Sequence, residues 1–158
     1  MTDTDDLALR IYQAILDGSG DAVNLRDFDR FLPFFHLPKL LETFEGRRMI
    51  ETPDALHVAF NKLQRLLRDI GAARMLRTCT VAQFDGPDTI RGVHDTRLVD
   101  DDGTVIEAYS GMCTLRLVDG HWRTTASQFA EEKASVPSKM LQGEVDPAFA
   151  VAEMPVAP

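Results

Sequence analysis

The sequence has little cysteine and a shortage of positive charge, and each shortage argues against a class of protein. Two cysteines without C-x-x-C spacing argue against a disulfide framework and a structural zinc site, and favour a reducing compartment. The formal net charge is −8. Nucleic acid is therefore not predicted as a partner, because phosphate backbones are bound by basic faces.

Long apolar runs and nucleotide-binding or metal-binding motifs are also lacking. No apolar run approaches the roughly 18 residues of a membrane span, and residues 1–6 do not resemble a signal peptide. We therefore expect a cytoplasmic protein that does not bind membranes. The chain has no phosphate-binding glycine loop, EF-hand or Ser-His-Asp arrangement, so we predict no cofactor and no metal.

What the chain does have is enough apolar residues, 44% of 158, for one domain with its own core. We assign residues 1–130 to this domain. Residues 131–158 are rich in Ala, Pro and Glu and have no clear periodicity, so we predict an irregular C-terminal tail there.

Helical spacing of apolar residues dominates the first half of the chain. It predicts a helix over 4–16 that Thr4 caps and Gly18 ends, and then a short helix that begins at Asn24 and Asp27 and is ended by Pro33. Residues 37–44 and 47–51 read as a hairpin. Thr52-Pro53-Asp54 opens a long amphipathic helix that Gly71 ends.

The period changes to two after this helix, which predicts strands over 74–84, 89–99, 104–118 and 121–129. Asp119-Gly120 between the last two strands is a strong hairpin signal, because a type I′ turn needs positive φ at both central residues. The order of the elements, with a last strand that opens on Gly120-His121-Trp122-Arg123, resembles the NTF2-like superfamily, particularly its SnoaL-like branch.

This resemblance implies an α+β fold, a cone in which a curved, mostly antiparallel sheet wraps around the N-terminal helices. It also implies a pocket at the wide end and often a homodimer through the outer sheet face. The family contains ketosteroid isomerases, dehydratases, epoxide hydrolases, polyketide cyclases and binding modules without catalysis, so the fold alone does not give the function.

Register can be extended from the Asp-Gly turns if each is a two-residue loop. His94, Gly111 and Gln128 then lie in one inward row, where the glycine leaves an unfilled volume, and Tyr109 and Thr96 border it. Carried through the turn at 85–88, the same register puts Cys79 beside His94 and Arg77 beside Thr96, unless a bulge changes the parity. Cys79 and Cys113 would then lie two strands apart, too far for a disulfide.

We therefore predict a pocket that Phe34, Phe60 and Trp122 close. Its predicted ligand-binding residues are Tyr12, Phe34, Phe60, Thr96, Tyr109, Trp122 and Gln128. His94 is the first candidate for acid/base chemistry and His36, near the predicted mouth, is the second. Each has a purely structural alternative: His94 as a core histidine bonded to Tyr109 or to backbone, His36 as a residue that caps the core, Tyr12 as a packing residue.

Three functions fit these residues. The first is binding of a small, largely apolar ligand in the pocket. The second is cofactor-independent isomerase, dehydratase, cyclase or hydrolase chemistry in which a pocket histidine moves a proton. The third is an interaction subunit that forms a homodimer through the outer face of the sheet, which carries Met112, Thr114, Arg116 and Arg123.

Overall fold

The structure is a computed structural model that describes residues 2–129, 136–141 and 153–154. Its helices are α1 (Asp3–Asn24), α2 (Phe28–Phe31), α3 (Pro53–Asp69) and α4 (Val136–Leu141), with a 3-10 turn at Leu32–Phe34. Its strands are β1 (Phe35–Thr43), β2 (Gly46–Ile50), β3 (Arg74–Phe84), β4 (Thr89–Val99), β5 (Val105–Val118), β6 (His121–Phe129) and β7 (Glu153–Met154).

The strands form one mixed sheet in the order β3-β4-β5-β6-β1-β2-β7. Neighbouring strands are antiparallel except β1 and β6, which are parallel. Helix α1 packs against β3, and buried side chains of α3 join the larger of two apolar clusters. The predicted α+β architecture, a curved sheet around N-terminal helices, is confirmed.

Helix α1 is longer than the sequence predicted. Thr2, not Thr4, accepts the capping hydrogen bond, and the helix continues through Gly18 and Gly20 to Asn24. Gly18 does not end the helix. Its lack of a side chain allows close packing, since a Cβ at this position would lie 2.2 Å from Cζ of Phe34.

The predicted start of α2 is partly wrong, and the predicted start of α3 is confirmed. Asn24 is the last residue of α1 and its side chain bonds the backbone of Met75, so α2 is capped by Asp27 alone. The start of α3 is confirmed, since Thr52 accepts a hydrogen bond from Ala55 N at 3.0 Å and Pro53 is its first residue.

The hairpin between β5 and β6 has the predicted turn. Asp119 and Gly120 have φ of 51° and 80°, and Val118 faces His121. The loop between β4 and β5 is longer than predicted, since Asp100 N bonds Thr104 O. A bulge at Ile106 compensates, so His94 still faces Gly111 and Thr96 still faces Tyr109.

Two further bulges have a common form. Thr80 in β3 and Thr125 in β6 are each an extra residue, and the hydroxyl of each donates to a carbonyl of the neighbouring strand, Val93 O at 3.0 Å and Thr114 O at 3.3 Å. Bulges bend a strand and increase its twist. These bulges therefore contribute to the curvature of the sheet.

The predicted tail at 131–158 lies mostly outside the described residues. The described part includes α4, which packs on α3, β1 and β2, and the short β7, which pairs with β2. The predicted homodimer stays a prediction; on the outer face Met112 is 49% exposed, and Arg116 lies opposite Arg123 as expected. None of the described helices is long and apolar enough to cross a membrane.

Candidate functional site

A cavity of about 120 Å³ lies between the concave face of the sheet and the helices. Most of its wall is apolar and comes from α1, α2 and α3, from β1 and β2, and from α4. These apolar residues include Phe31, Phe35, Leu41, Ile50, Leu56, Ala59, Phe60, Leu63, Val136 and Met140. An engineered apolar cavity of roughly 150 Å³ holds benzene, so this one matches a ligand of about one six-membered ring.

The polar part of the wall is organised around Tyr12 and His94. Tyr12 Oη lies 2.6 Å from His94 Nδ1 and 3.2 Å from Gly92 O, and it accepts a hydrogen bond from Cys113 N at 3.1 Å. A hydroxyl has one hydrogen, so either Tyr12 donates to Nδ1, or Nδ1–H donates to Tyr12 and Tyr12 donates to Gly92. Both arrangements use Nδ1 and leave Nε2 without a hydrogen bond from the described residues.

Burial controls the protonation of this pair. Burial, helped by the positive charge of Arg77, lowers the pKa of His94 to about 3, against a weaker opposing effect of Asp95. The imidazole is therefore neutral near pH 7. Burial also raises the pKa of Tyr12 well above its usual range, so its hydroxyl keeps its proton.

Two basic side chains share the cavity with this pair. Lys39 on β1 is 9% exposed, and its Nζ lies 4.5 Å from the centre of the Phe35 ring. Arg77 on β3 donates from Nη2 to Leu16 O and to Ser19 Oγ, while its Nε is buried and makes no hydrogen bond to any described residue.

The structure brings five predicted site residues together at this cavity: Tyr12, Phe60, His94, Thr96 and Tyr109. Tyr12 is completely buried, which fits the packing alternative, and it also bonds His94 directly. The ring of His94 bonds Tyr12, and not the Tyr109 partner that the structural alternative named.

Four predicted site residues lie elsewhere. His36 is exposed, because alternation along β1 turns Phe35 inward and its neighbour outward. Phe34 packs over Gly18, and Trp122 packs edge-on against Phe84. Both line an open surface pocket beside α1 instead of the inner cavity.

The predicted position of Gln128 was wrong, because the register between β5 and β6 differs from the predicted one. The bulge at Thr125 moves the pairing by one residue, so Gly111 faces Phe129, and Gln128 lies opposite Met112 on the outer face. There its Nε2 donates to Glu42 Oε1 at 2.7 Å. The predicted unfilled volume at Gly111 is also wrong: a Cβ there would lie 2.6 Å from the ring of Phe129.

Sequence reasoning did not select Lys39 or Arg77 as site residues. Lys39 could have been identified from its spacing. It lies an even number of residues from Phe35 and Leu41, so in a strand the three side chains point to the same face. Arg77 was correctly predicted beside Thr96. A positive charge beside a predicted pocket residue could have identified Arg77 as a site residue.

Helix α4 lies against one side of the cavity. Val136 and Met140 are 1% and 9% exposed and line the wall. Polar contacts between described residues hold the helix: Glu107 Oε2 accepts from Val136 N at 2.8 Å, and Lys62 Nζ donates to Met140 O at 3.1 Å. Glu107 therefore acts in holding α4, and its carboxylate does not line the cavity.

Metal binding has no support in the described part of the chain, where no group of three or more His, Cys, Asp or Glu residues could hold an ion. Cys79 and Cys113 are both buried free thiols. Acid/base chemistry without a cofactor and hydrogen bonding to a ligand are the chemistry that these side chains offer.

The fold is that of the NTF2-like proteins, and many solved structures share it. No protein-family model matches the sequence, and no curated protein matches it significantly. A protein of unknown function from Mycobacterium tuberculosis superposes with a TM-score of 0.63 at 16% identity, covering 85% of each chain.

Two other solved structures show the same likeness. An NTF2-like protein of unknown function from Shewanella oneidensis gives a TM-score of 0.60 at 14% identity over 77% of this chain and 98% of its own. A hexachlorocyclohexane dehydrochlorinase from Novosphingobium barchaimii gives 0.57 at 17% identity over 80% and 88%. At such identities the likeness shows the fold alone, and the SnoaL-like branch stays a prediction.

Proposed function

We propose that this protein binds a small, largely apolar molecule, about the size of one six-membered ring, in the inner cavity. The observation that carries the proposal is the cavity itself, about 120 Å³ with an apolar wall and a cluster of polar groups on the sheet side. Ligand sites typically combine an apolar lining with a few fixed polar groups that orient the ligand. Here Tyr109, Thr96 and the Tyr12–His94 pair provide such groups.

Benzyl alcohol is a suitable probe, because it has one ring and one neutral polar group. A ligand that binds only the folded state raises the melting temperature with concentration. We expect this rise in wild-type protein by differential scanning fluorimetry, and a dissociation constant by isothermal titration calorimetry. No rise and no heat at millimolar concentration would contradict the proposal.

Filling the cavity should abolish this binding. Ala59 on α3 is 4% exposed and lines the wall, so Ala59→Leu places three more carbon atoms in the space that the ligand needs. We expect benzyl alcohol to lose at least about tenfold in affinity, since the lost apolar contact is worth more than about 1.4 kcal/mol. Ala14→Leu, at an exposed position of α1, is the matched control and should bind as wild type does.

Acid/base catalysis is the second candidate, and Nε2 of His94 is the observation that favours it. This nitrogen has no hydrogen bond from the described residues and belongs to a side chain that lines the cavity. The low pKa makes His94 a weak base near pH 7, and a strong general base has a pKa near the working pH. Binding is therefore the better-supported function.

The two candidates can be separated with cyclohexanone in deuterated water. A site that moves protons would accelerate exchange of the α-hydrogens, and His94→Gln would remove that acceleration while the ketone still bound. A wild-type exchange rate equal to that of buffer, for ketone that is bound, would count against catalysis through His94.

A further inference from the structure

Two positive charges face the cavity, and its described wall contains no carboxylate. Lys39 and Arg77 line it, together with neutral polar and apolar side chains only. The nearby acids are engaged elsewhere: Glu107 bonds Val136 N, Asp95 accepts from Ser110 on the outer face, and Asp17 is exposed and accepts from Gln13.

The ammonium group of Lys39 has no anionic partner in the part of the chain that the structure describes. Among the described residues it makes no hydrogen bond and no ion pair, and its recorded polar interaction is with the Phe35 ring. Burial lowers the pKa of Lys39 to about 8; the nearby Cys113 opposes this shift, and the charge of Arg77 adds a smaller lowering effect. The side chain is thus mainly protonated near pH 7, and a buried ammonium without a counter-charge is costly.

The guanidinium of Arg77 is fixed by hydrogen bonds, but one of its N–H donors has no acceptor among the described residues. Its Nη2 is fixed by the carbonyl of Leu16 and the hydroxyl of Ser19 at the α1 side of the cavity. Its Nε is a buried donor that finds no acceptor among the residues that the structure describes. A donor of this kind normally has a partner, because an unmade buried hydrogen bond costs free energy.

We propose that the ligand carries a carboxylate, which binds at Lys39 and Arg77 while its apolar ring or chain fills the rest of the cavity. The inference rests on the proposed function, since it specifies the ligand of the same cavity. An anion here would pair with the Lys39 ammonium and would add negative charge where the wall has none. Charge-assisted hydrogen bonds to lysine and arginine are the stronger kind.

The size of the cavity narrows the class of ligand to aromatic, alicyclic or short aliphatic monocarboxylates. Benzoate is the charged probe, and benzyl alcohol is the neutral probe of nearly equal size. We expect wild-type protein to bind benzoate at least about tenfold more tightly than benzyl alcohol at pH 7, measured by isothermal titration calorimetry.

Lys39→Met tests the role of the ammonium. Methionine keeps the unbranched shape and removes the charge, so we expect benzoate to bind about 10- to 100-fold more weakly and benzyl alcohol to change less than about threefold. The variant should fold, because it removes an unpaired buried cation. Arg97→Met, on the exposed face of β4, changes the net charge equally and is the control that should leave both affinities unchanged.

The pH dependence gives a readout that a purely structural role of Lys39 would not move. Benzoate affinity should be constant from pH 6 to about 7.5 and should fall above pH 8 as Lys39 loses its proton. The other titratable groups at the cavity are Tyr12 on α1, Arg77 on β3, His94 on β4, and Tyr109 and Cys113 on β5. Burial lowers the pKa of Arg77 from its usual value. The described lining residues of α2, α3, α4, β2 and β6 contribute no titratable group. Lys39→Met should remove the fall in affinity.

The outcomes separate this inference from the proposed function. Equal binding of benzoate and benzyl alcohol, or tight benzoate binding by Lys39→Met, would overturn the carboxylate inference and leave an apolar ligand site standing. A pH dependence that persists in Lys39→Met would also overturn it, because another group would then be responsible. Binding of neither probe would overturn both proposals.

Discussion

Between pH 7 and pH 4, wild-type protein should lose about 3 kcal/mol more of its free energy of unfolding than a His94→Gln variant. The folded state holds His94 with a pKa of about 3, whereas an unfolded histidine has about 6.5. Its stabilisation is therefore fully present above pH 6.5 and is lost as the pH falls towards 3. Each pH unit in this window corresponds to about 1.4 kcal/mol.

Urea denaturation at pH 7, 6, 5 and 4 would measure this difference. Glutamine does not titrate, and its amide can still bond Tyr12, while acidic residues affect both proteins in the same way. Parallel curves for the two proteins would contradict the prediction. The ring nitrogen chemical shifts of His94 in wild-type protein provide a second test, since they should show a neutral imidazole at pH 5.

A Gly92→Ala substitution should destabilise the fold by about 3 kcal/mol or more. The added Cβ would lie 2.4 Å from the ring of Tyr12, which is completely buried and cannot move aside. Displacing the ring would also weaken the hydrogen bonds of its hydroxyl to His94, Gly92 and Cys113. The melting temperature and the free energy of unfolding are the quantities to measure.

Gly20→Ala is the matched control for this substitution. It adds the same methyl group, but the new Cβ would lie 3.5 Å from Nη2 of Arg77, an ordinary contact, and inside a helix. Alanine favours a helix over glycine by about 1 kcal/mol, so we expect a small stabilisation. Destabilisation of similar size in both variants would argue that close packing of Tyr12 on Gly92 is not the cause.

Much of the fold could be predicted because its signals are local. The period-two strands and the Asp119-Gly120 turn depend on neighbouring residues, and the cap at Thr52 does too. The end of α1 was predicted wrongly for the opposite reason. Gly18 looks like a helix stop until Phe34, which is distant in sequence, is known to pack on it.

The site could be predicted only as far as the register could be carried. His94, Thr96 and Tyr109 are paired as expected, because the extra loop length between β4 and β5 is offset by the bulge at Ile106. Gln128 was misplaced because nothing in the local sequence marks Thr125 as an extra residue. Lys39 was missed because a lysine in a strand ordinarily indicates solvent.

The bulge at Thr125 affects the curvature of β6 without changing which of its side chains face the cavity. Leu115 pairs with Thr124 and Thr114 with Ala126, so a chain that lacked residue 125 would continue the ladder without interruption. Ser127 and Phe129 would still point into the cavity. Thr125 is therefore a residue that shapes the strand while leaving the identity of the ligand-facing side chains untouched, so the curvature of the site and its chemistry can change independently in evolution or design.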